Sequence, residues 1–270
     1  MKIGMIQFSP IFGEPTTNLA HIISQIDALD ADLIVLPELP FTGYMFRDRE
    51  ELISLSEEPQ TSIIVRTLTG VCREKHVFIV TGFAEKSGNK YYNSSLLIGP
   101  NGLISVYRKL HLFMNEKSIF DPGNLPLSVH QVKDAYVGMM ICFDWIFPEV
   151  SRSLSLLGAD ILCHPSNLVL NYCQNAMVTR SIENQVYAVT VNRYGQECRP
   201  HGDVLFTGQS QMTDPKGNIL HQCAAQKDEN IVVDIDISVA RDKHITEWNH
   251  VITDRRPQYY QEIIGEDHDR

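Results

Sequence analysis

No run of apolar residues in this chain approaches the roughly 20 that a helix needs to cross a bilayer. Cationic residues are in the minority: 23 Lys and Arg stand against 33 Asp and Glu, for a formal net charge of -10. No basic stripe emerges from that background, so the electrostatic footprint of a nucleic-acid binder is missing. The six cysteines (Cys72, Cys142, Cys163, Cys173, Cys198 and Cys223) form no C-x-x-C pair, and the ten histidines form no H-E-x-x-H. Neither a disulfide framework nor a zinc site is signalled. Linkers, charge blocks and low-complexity tracts are also missing. The opening MKIGMIQFSP lacks the apolar core and small-residue cleavage site of a secretory leader. These absences lead us to expect a cytoplasmic chain with no nucleic-acid and no membrane partner. The 270 residues, 43% of them hydrophobic, suffice for one large domain over 1–270.

Several patterns are present. KIGMIQF alternates as a strand does. In TTNLAHIISQIDALD, Leu19, Ile22, Ile23 and Ile26 share one helical face. ADLIVLPE reads as a buried strand, and TSIIVRTLTGVCREKH as a helix burying Ile64, Val65, Leu68 and Cys72. VFIVTGFAE is a further strand. From there, turn signals at Ser87-Gly88-Asn89 and Pro100-Asn101-Gly102 predict an antiparallel meander. DAYVGMMICFD predicts a strand, PEVSRSLSLLG a helix and ADILCHPSNLV a strand; Pro148 suits a first helical turn and Gly158 a helix end. QNAMVTRSIENQVY predicts a helix and AVTVNRYG a strand. A hairpin over GQSQMTDPKGNIL and a closing strand ENIVVDIDI follow, and the polar tail from Ser238 has mixed character. The interleaving points to an α/β fold with helices covering the outer faces of sheets.

Three of these strands end in reactive groups: Glu38 after LIVLP, Lys109 after LISVYR, and Cys142 after VGMMI. In α/β sheets, sites collect at the carboxyl ends of strands. Taken singly, the glutamate reads as a loop residue or helix cap, the lysine as a surface charge and the cysteine as packing. Together they fit one chemistry. A thiol attacks as thiolate, a carboxylate can take its proton, and an ammonium can hold the anion that develops.

The chain resembles the nitrilase (carbon–nitrogen hydrolase) superfamily along nearly its whole length. The motifs that carry the resemblance are LPELPFTGY, YRKLHLF followed by EKSIFDPGN, and ICFDWIFPE followed by GADILCHPSNL. TRSIENQVYAVTVNR, GQSQMTDPKGNIL and DRRPQYY come after them, in the family's order. The resemblance implies a four-layer α-β-β-α sandwich. It implies Glu38 as general base, Lys109 as oxyanion partner, Cys142 as nucleophile and Glu116 as the second glutamate, which orients lysine and substrate. The Phe143 backbone N–H would be the other oxyanion donor. No metal and no organic cofactor is implied.

The expected substrate is a small amide, a carbamoyl amide or a nitrile. The amide takes precedence because the family holds more amide than nitrile hydrolases, although YRKLHLF with ICFDWIFPE also looks like small nitrilases of this length. A catalytically silent binding protein on the same fold is disfavoured by the presence of all four motif residues. Tyr44, Phe113, Trp145 and Asn167 flank the motifs and are candidate pocket residues, with core packing as the alternative for each. Family members commonly pair through helices and C-terminal segments, so TRSIENQVY and the tail over 238–270 are expected to support at least a dimer. Arg180, Glu183 and Asn184 are expected to brace a helix against the site loops, with an exposed ion pair as the alternative.

Overall fold

A computed structural model describes residues 1–263 and Gly265. The expected pairing tail over 238–270 runs past them; residues 264 and 266–270 lie outside the described residues. The first half of the chain runs β1 (Lys2–Gln7), α1 (Pro15–Asp27), β2 (Leu33–Val35), α2 (Arg49–Leu55), α3 (Ile63–Lys75), β3 (Phe78–Ser87), β4 (Lys90–Gly99), β5 (Gly102–Arg108) and α4 (Glu116–Ile119). The second half begins with β6 (Val129–Val132), β7 (Ala135–Met139), a 3-10 turn (Cys142–Ile146), α5 (Pro148–Leu156), β8 (Ile161–Ser166) and α6 (Cys173–Asn184). It continues through β9 (Tyr187–Asn192), β10 (Tyr194–Arg199), β11 (Gly202–Thr207), β12 (Gln211–Thr213), β13 (Ile219–Gln222), β14 (Glu229–Asp234) and α7 (Ile237–Arg241).

Two six-stranded sheets result, ordered β14-β1-β2-β3-β4-β5 and β13-β12-β9-β8-β7-β6. Each has a parallel centre, β1-β2-β3 in one and β7-β8-β9 in the other, flanked by antiparallel strands. The alternation of the central strands explains the layering. Ile3, Met5, Leu33 and Val35 pack with Val137, Met139, Ile161, Cys163 and Val189 in the layer between the sheets. Their neighbours Ile6, Ile34 and Leu36 point the other way, against Ile22 and Ile26 of α1 and Ile64, Leu68 and Cys72 of α3. Val150 and Leu154 of α5 and Met177 of α6 cover the second sheet. This is the α-β-β-α arrangement, and each fully buried Ile or Leu contributes roughly 1.5–3 kcal/mol to it.

The sequence patterns hold at these elements for local reasons. Helix α3 starts where the Ser62 hydroxyl accepts from the Val65 N–H, and stops at His76 in a left-handed conformation. The expected meander is β3-β4-β5, with Ser87 paired to Lys90 and Gly99 to Gly102 across its turns. Other boundaries differ from expectation. The strand before Cys142 stops at Met139, and Cys142 opens the 3-10 turn instead. AVTVNRYG splits at Arg193 into the end of β9 and the start of β10. The β10–β11 hairpin pairs only with itself, so it carries no core-facing alternation to reveal it. No helix among the described residues is long and apolar enough to cross a membrane.

Candidate active site

Glu38 follows β2 on a segment that still runs beside β3, where the Leu36 N–H donates to Val80 and the Gly82 N–H to Pro37. The approach is so close that a Cβ on Gly82 would lie 2.3 Å from the Leu39 nitrogen and 2.6 Å from the Glu38 Cα. Only glycine lets the strand pass. Leu39 takes a left-handed φ of 48°, which turns the chain immediately after the carboxylate. Glu38 is fully buried. Its Oε1 accepts from Asn93 Nδ2 and Lys109 Nζ, both at 2.7 Å, while Oε2 is buried with no partner.

Lys109 leaves β5 with its N–H donated to Asn93 O and its carbonyl accepting from Gly123 N at 2.9 Å. Gly123 has no room for a Cβ, which would sit 2.3 Å from Arg108 O. The ammonium donates to Glu38 and also to Glu116 Oε1 at 2.8 Å. Glu116 in turn accepts from the Tyr44 hydroxyl at 2.6 Å and from the Phe113 N–H at 3.2 Å. One cation thus bridges two buried carboxylates. Burial opposes the charge on Lys109, but Glu116 and Glu38 outweigh it and hold the ammonium above its ordinary value. Burial raises Glu116, Lys109 pulls it back, and Glu38 adds to the rise.

Cys142 sits at a φ of 39°, a left-handed conformation that a non-glycine residue adopts at a cost of order 1–3 kcal/mol and keeps only when its surroundings enforce it. The enforcement is visible. Asp144 Oδ2 accepts from the Ile141 N–H at 2.9 Å and the Tyr107 hydroxyl at 2.6 Å. Its Oδ1 accepts from His111, through the backbone N–H at 3.2 Å and Nδ1–H at 2.8 Å. Asp144 therefore ties the cysteine turn to the loop just past Lys109. His164 of β8 supports the same turn from below, through the Cys142 carbonyl. Burial raises the Cys142 thiol well above its ordinary value; Glu38 and Glu116 add to that, against Lys109 and the Asn167 backbone N–H. The resting group is a thiol, beside a carboxylate oxygen without a partner.

Phe113, Phe143, Trp145 and Asn167 line a small chamber with Cys142, together with residues 168–170. Tyr44 does not line it; its hydroxyl is taken by Glu116. Arg180 donates to the carbonyls of Trp145 at 3.1 Å and Ile146 at 3.5 Å, and pairs with Glu183 at 3.0 Å. Asn184 caps the arrangement by donating to Arg180 O at 2.9 Å. Sequence reasoning missed Asn93, Asp144 and His164. Asn93 falls within the strand YYNSSLLIG, and only its place opposite Glu38 gives it meaning. Asp144 carried a signal, being three residues past Ile141 and able to accept its N–H.

The remaining cysteines are set apart. Cys72, Cys163, Cys173 and Cys223 are buried, with thiols raised by burial, and Cys198 is exposed. His221, Cys223 and Glu229 bring one ligand atom each within 4.8 Å of one another. There His221 Nε2 is already bonded to Glu229 at 3.0 Å, burial pushes the thiol up to about 12, and none of the three lines the chamber.

The chain is 40% identical over 263 residues to a nitrilase from Pyrococcus abyssi, covering 96% of this chain and 99% of that protein. It is 34% identical over 244 residues to an (R)-stereoselective amidase from Pseudomonas, covering 88% and 85%. In fold it is similar to a carbon-nitrogen hydrolase from Helicobacter pylori, with a TM-score of 0.88 at 22% identity over 98% of both chains. The carbon-nitrogen hydrolase family model matches residues 2–244, and the chain belongs to that family of enzymes.

Proposed function

We propose that this protein hydrolyses a small amide or carbamoyl amide to an acid and ammonia or an amine, through a thioester on Cys142. The observation that carries the reading is the single ammonium of Lys109 shared at 2.7 and 2.8 Å between Glu38 and Glu116, next to a thiol on a constrained turn. Glu38 takes the thiol proton as sulfur attacks the carbonyl carbon, and the C=O π pair moves onto oxygen. Lys109 and the Phe143 N–H hold that oxyanion; losing one such donor costs on the order of 10²–10³ in kcat. Collapse re-forms the carbonyl. The protonated Glu38 delivers its proton to nitrogen, which leaves as ammonia or amine. Water then attacks the thioester with Glu38 as base, the acid departs, and the thiol is restored.

Glu116 holds the lysine in place. The neutral Tyr44 hydroxyl, raised by burial and by the charge of Glu116, completes that support. Nitrile hydrolysis uses the same groups and is the second reading, favoured by the 40% identity to a nitrilase. A panel of simple amides, carbamoyl amines and aliphatic nitriles, read by ammonia release, tests both. Turnover of nitriles alone would replace the first reading with the second. No turnover of any class would overturn both.

A further inference from the structure

Asn167 is only 3% exposed, yet neither its Nδ2 nor its Oδ1 has a hydrogen-bond partner. Buried polar atoms are almost always satisfied, because an unmade bond forfeits the desolvation cost of the group. A carboxamide with both ends unspent calls for a partner that the chain itself does not supply. Its position is fixed from both sides. Its own N–H points to the Cys142 sulfur, and the next N–H, of Leu168, donates to Asn192 Oδ1 at 2.8 Å. Asn192 is itself held by Thr207 at 3.0 Å and Gly208 at 2.7 Å.

Cys142 lines the same chamber as Asn167, while Glu38, Lys109 and Glu116 do not. The chamber therefore adjoins the sulfur and the Phe143 end of the oxyanion site, apart from Glu38, whose proton goes to the leaving nitrogen. What enters it is the substituent on the acyl carbon. Its other walls are aromatic and aliphatic, and no lining residue carries a charge. A carboxylate or ammonium there would lose its water with no counter-charge in return. The chamber is narrow, so the substituent is short.

We infer that Asn167 reads a neutral hydrogen-bonding group on the acyl side, and that the preferred substrates are short, uncharged and bifunctional, with a distal carboxamide as the best match. A carboxamide offers one donor and one acceptor to the one acceptor and one donor of Asn167. The inference rests on the amide reading above.

The test compares matched pairs of equal chain length: butyramide against succinamide, and succinamide against its half-acid, succinamate. For the native enzyme, kcat/KM should favour the diamide over the monoamide by about tenfold or more, the worth of one or two net hydrogen bonds. The charged half-acid should be the poorest of the three. Asn167→Leu should bring the diamide-to-monoamide ratio close to one. Asn167→Asp keeps the shape but removes the donor, and it should lower the ratio too; it also serves if the leucine variant fails to fold. No diamide preference in the native enzyme, or a preference that survives substitution, would overturn the inference. So would an equal fall on both substrates, which would place Asn167 on the scissile group. If only nitriles turn over, the amide reading fails by itself, and the same ratio taken on butyronitrile and succinonitrile decides the role of Asn167.

Discussion

The imidazole of His164 donates Nε2–H to the carbonyl oxygen of Cys142 at 2.8 Å, while its Nδ1 accepts from the Thr190 hydroxyl at 3.0 Å. The partners fix the tautomer, since a carbonyl can only accept. A strand of the second sheet thereby holds the left-handed turn of Cys142.

His164→Ala should lower kcat by about tenfold or more with little change in KM, because a loosened turn misplaces the sulfur without altering the chamber. His164→Gln, which keeps a donor near the Nε2 position, should recover part of the loss. An equal loss in both variants, or a change confined to KM, would refute this role.

Burial also pushes His164 down to about 4 from its ordinary 6.5. Below pH 6.5 the unfolded chain takes up a proton that the folded chain refuses. Stability is therefore fully present above that pH and falls as pH drops toward 4, by up to about 3 kcal/mol. His164→Gln should lose this part of the acid sensitivity. Denaturant midpoints at neutral pH and near the lower value decide it: parallel losses in both proteins would sink the idea.

Cys142→Ala should abolish turnover while leaving the fold in place, since it removes only a sulfur. A slow substrate should leave its acyl mass on the peptide carrying ICFDWIFPE and on no other cysteine peptide. Glu38→Gln should also abolish turnover, and Cys142 should remain alkylatable at a reduced rate. Acylation at Cys72, Cys163, Cys173, Cys198 or Cys223 would contradict the assignment.

Lys109→Met leaves Glu38 and Glu116 facing each other in a fully buried site without their cation. Breaking a buried pair in this way costs about 3–5 kcal/mol. Pairing the change with Glu116→Gln should restore much of the stability but none of the activity. Melting curves and ammonia release separate the two effects. A double variant that recovers turnover would remove Lys109 from the oxyanion role.

Arg180→Ala should cost more than Glu183→Ala. The guanidinium donates to two carbonyls of the Trp145–Ile146 segment, whereas Glu183 only steadies it. Glu183→Ala should destabilise by under about 1 kcal/mol and lower turnover measurably. If it changed neither folding nor turnover, the bracing role would be wrong.

Self-association should show as at least a dimer. Leu156, Leu157 and Ile182 on the outer helices are exposed, as are Trp248, Tyr259 and Tyr260 of the tail. Lys243 docks the tail on the end of α6 by donating to Gln185 O at 2.7 Å. Aromatic residues and arginine are enriched at interfaces. Light scattering at a constant 30.6 kDa across micromolar concentrations would rule the dimer out.

The sequence made the layering legible wherever a strand or helix has one face to bury, as with Ile64, Val65, Leu68 and Cys72 of α3. It also showed Glu38, Lys109 and Cys142 as strand ends. Glu116 was visible only through family resemblance, because a loop carboxylate beside Lys117 carries no local sign that it turns inward. Asn93 and His164 were not legible at all. Their roles depend on which side chain the facing strand or turn presents, and pattern along the chain does not encode that. The β10–β11 hairpin escaped for another reason. Its link to the site is Glu197, which pairs with Arg193 and accepts from the Met45 N–H at 2.7 Å, a contact across 152 positions.

Glu38, Asn93 and Lys109 hang from one sheet; Cys142, His164 and Asn167 hang from the other. Glu38 and Cys142 thus belong to separate plates, held in register by the apolar layer between them and by the ties of Asp144 to Tyr107 and His111. A slip of an ångström would leave every strand paired and every helix wound, yet part the sulfur from Glu38, its proposed proton acceptor. Turnover in this protein is then a strain gauge for that seam. In rising denaturant, catalysis should fade while the circular dichroism of the backbone still reads native, and substitutions at Val35 or Val137, in the layer between the sheets, should shift the first curve before the second.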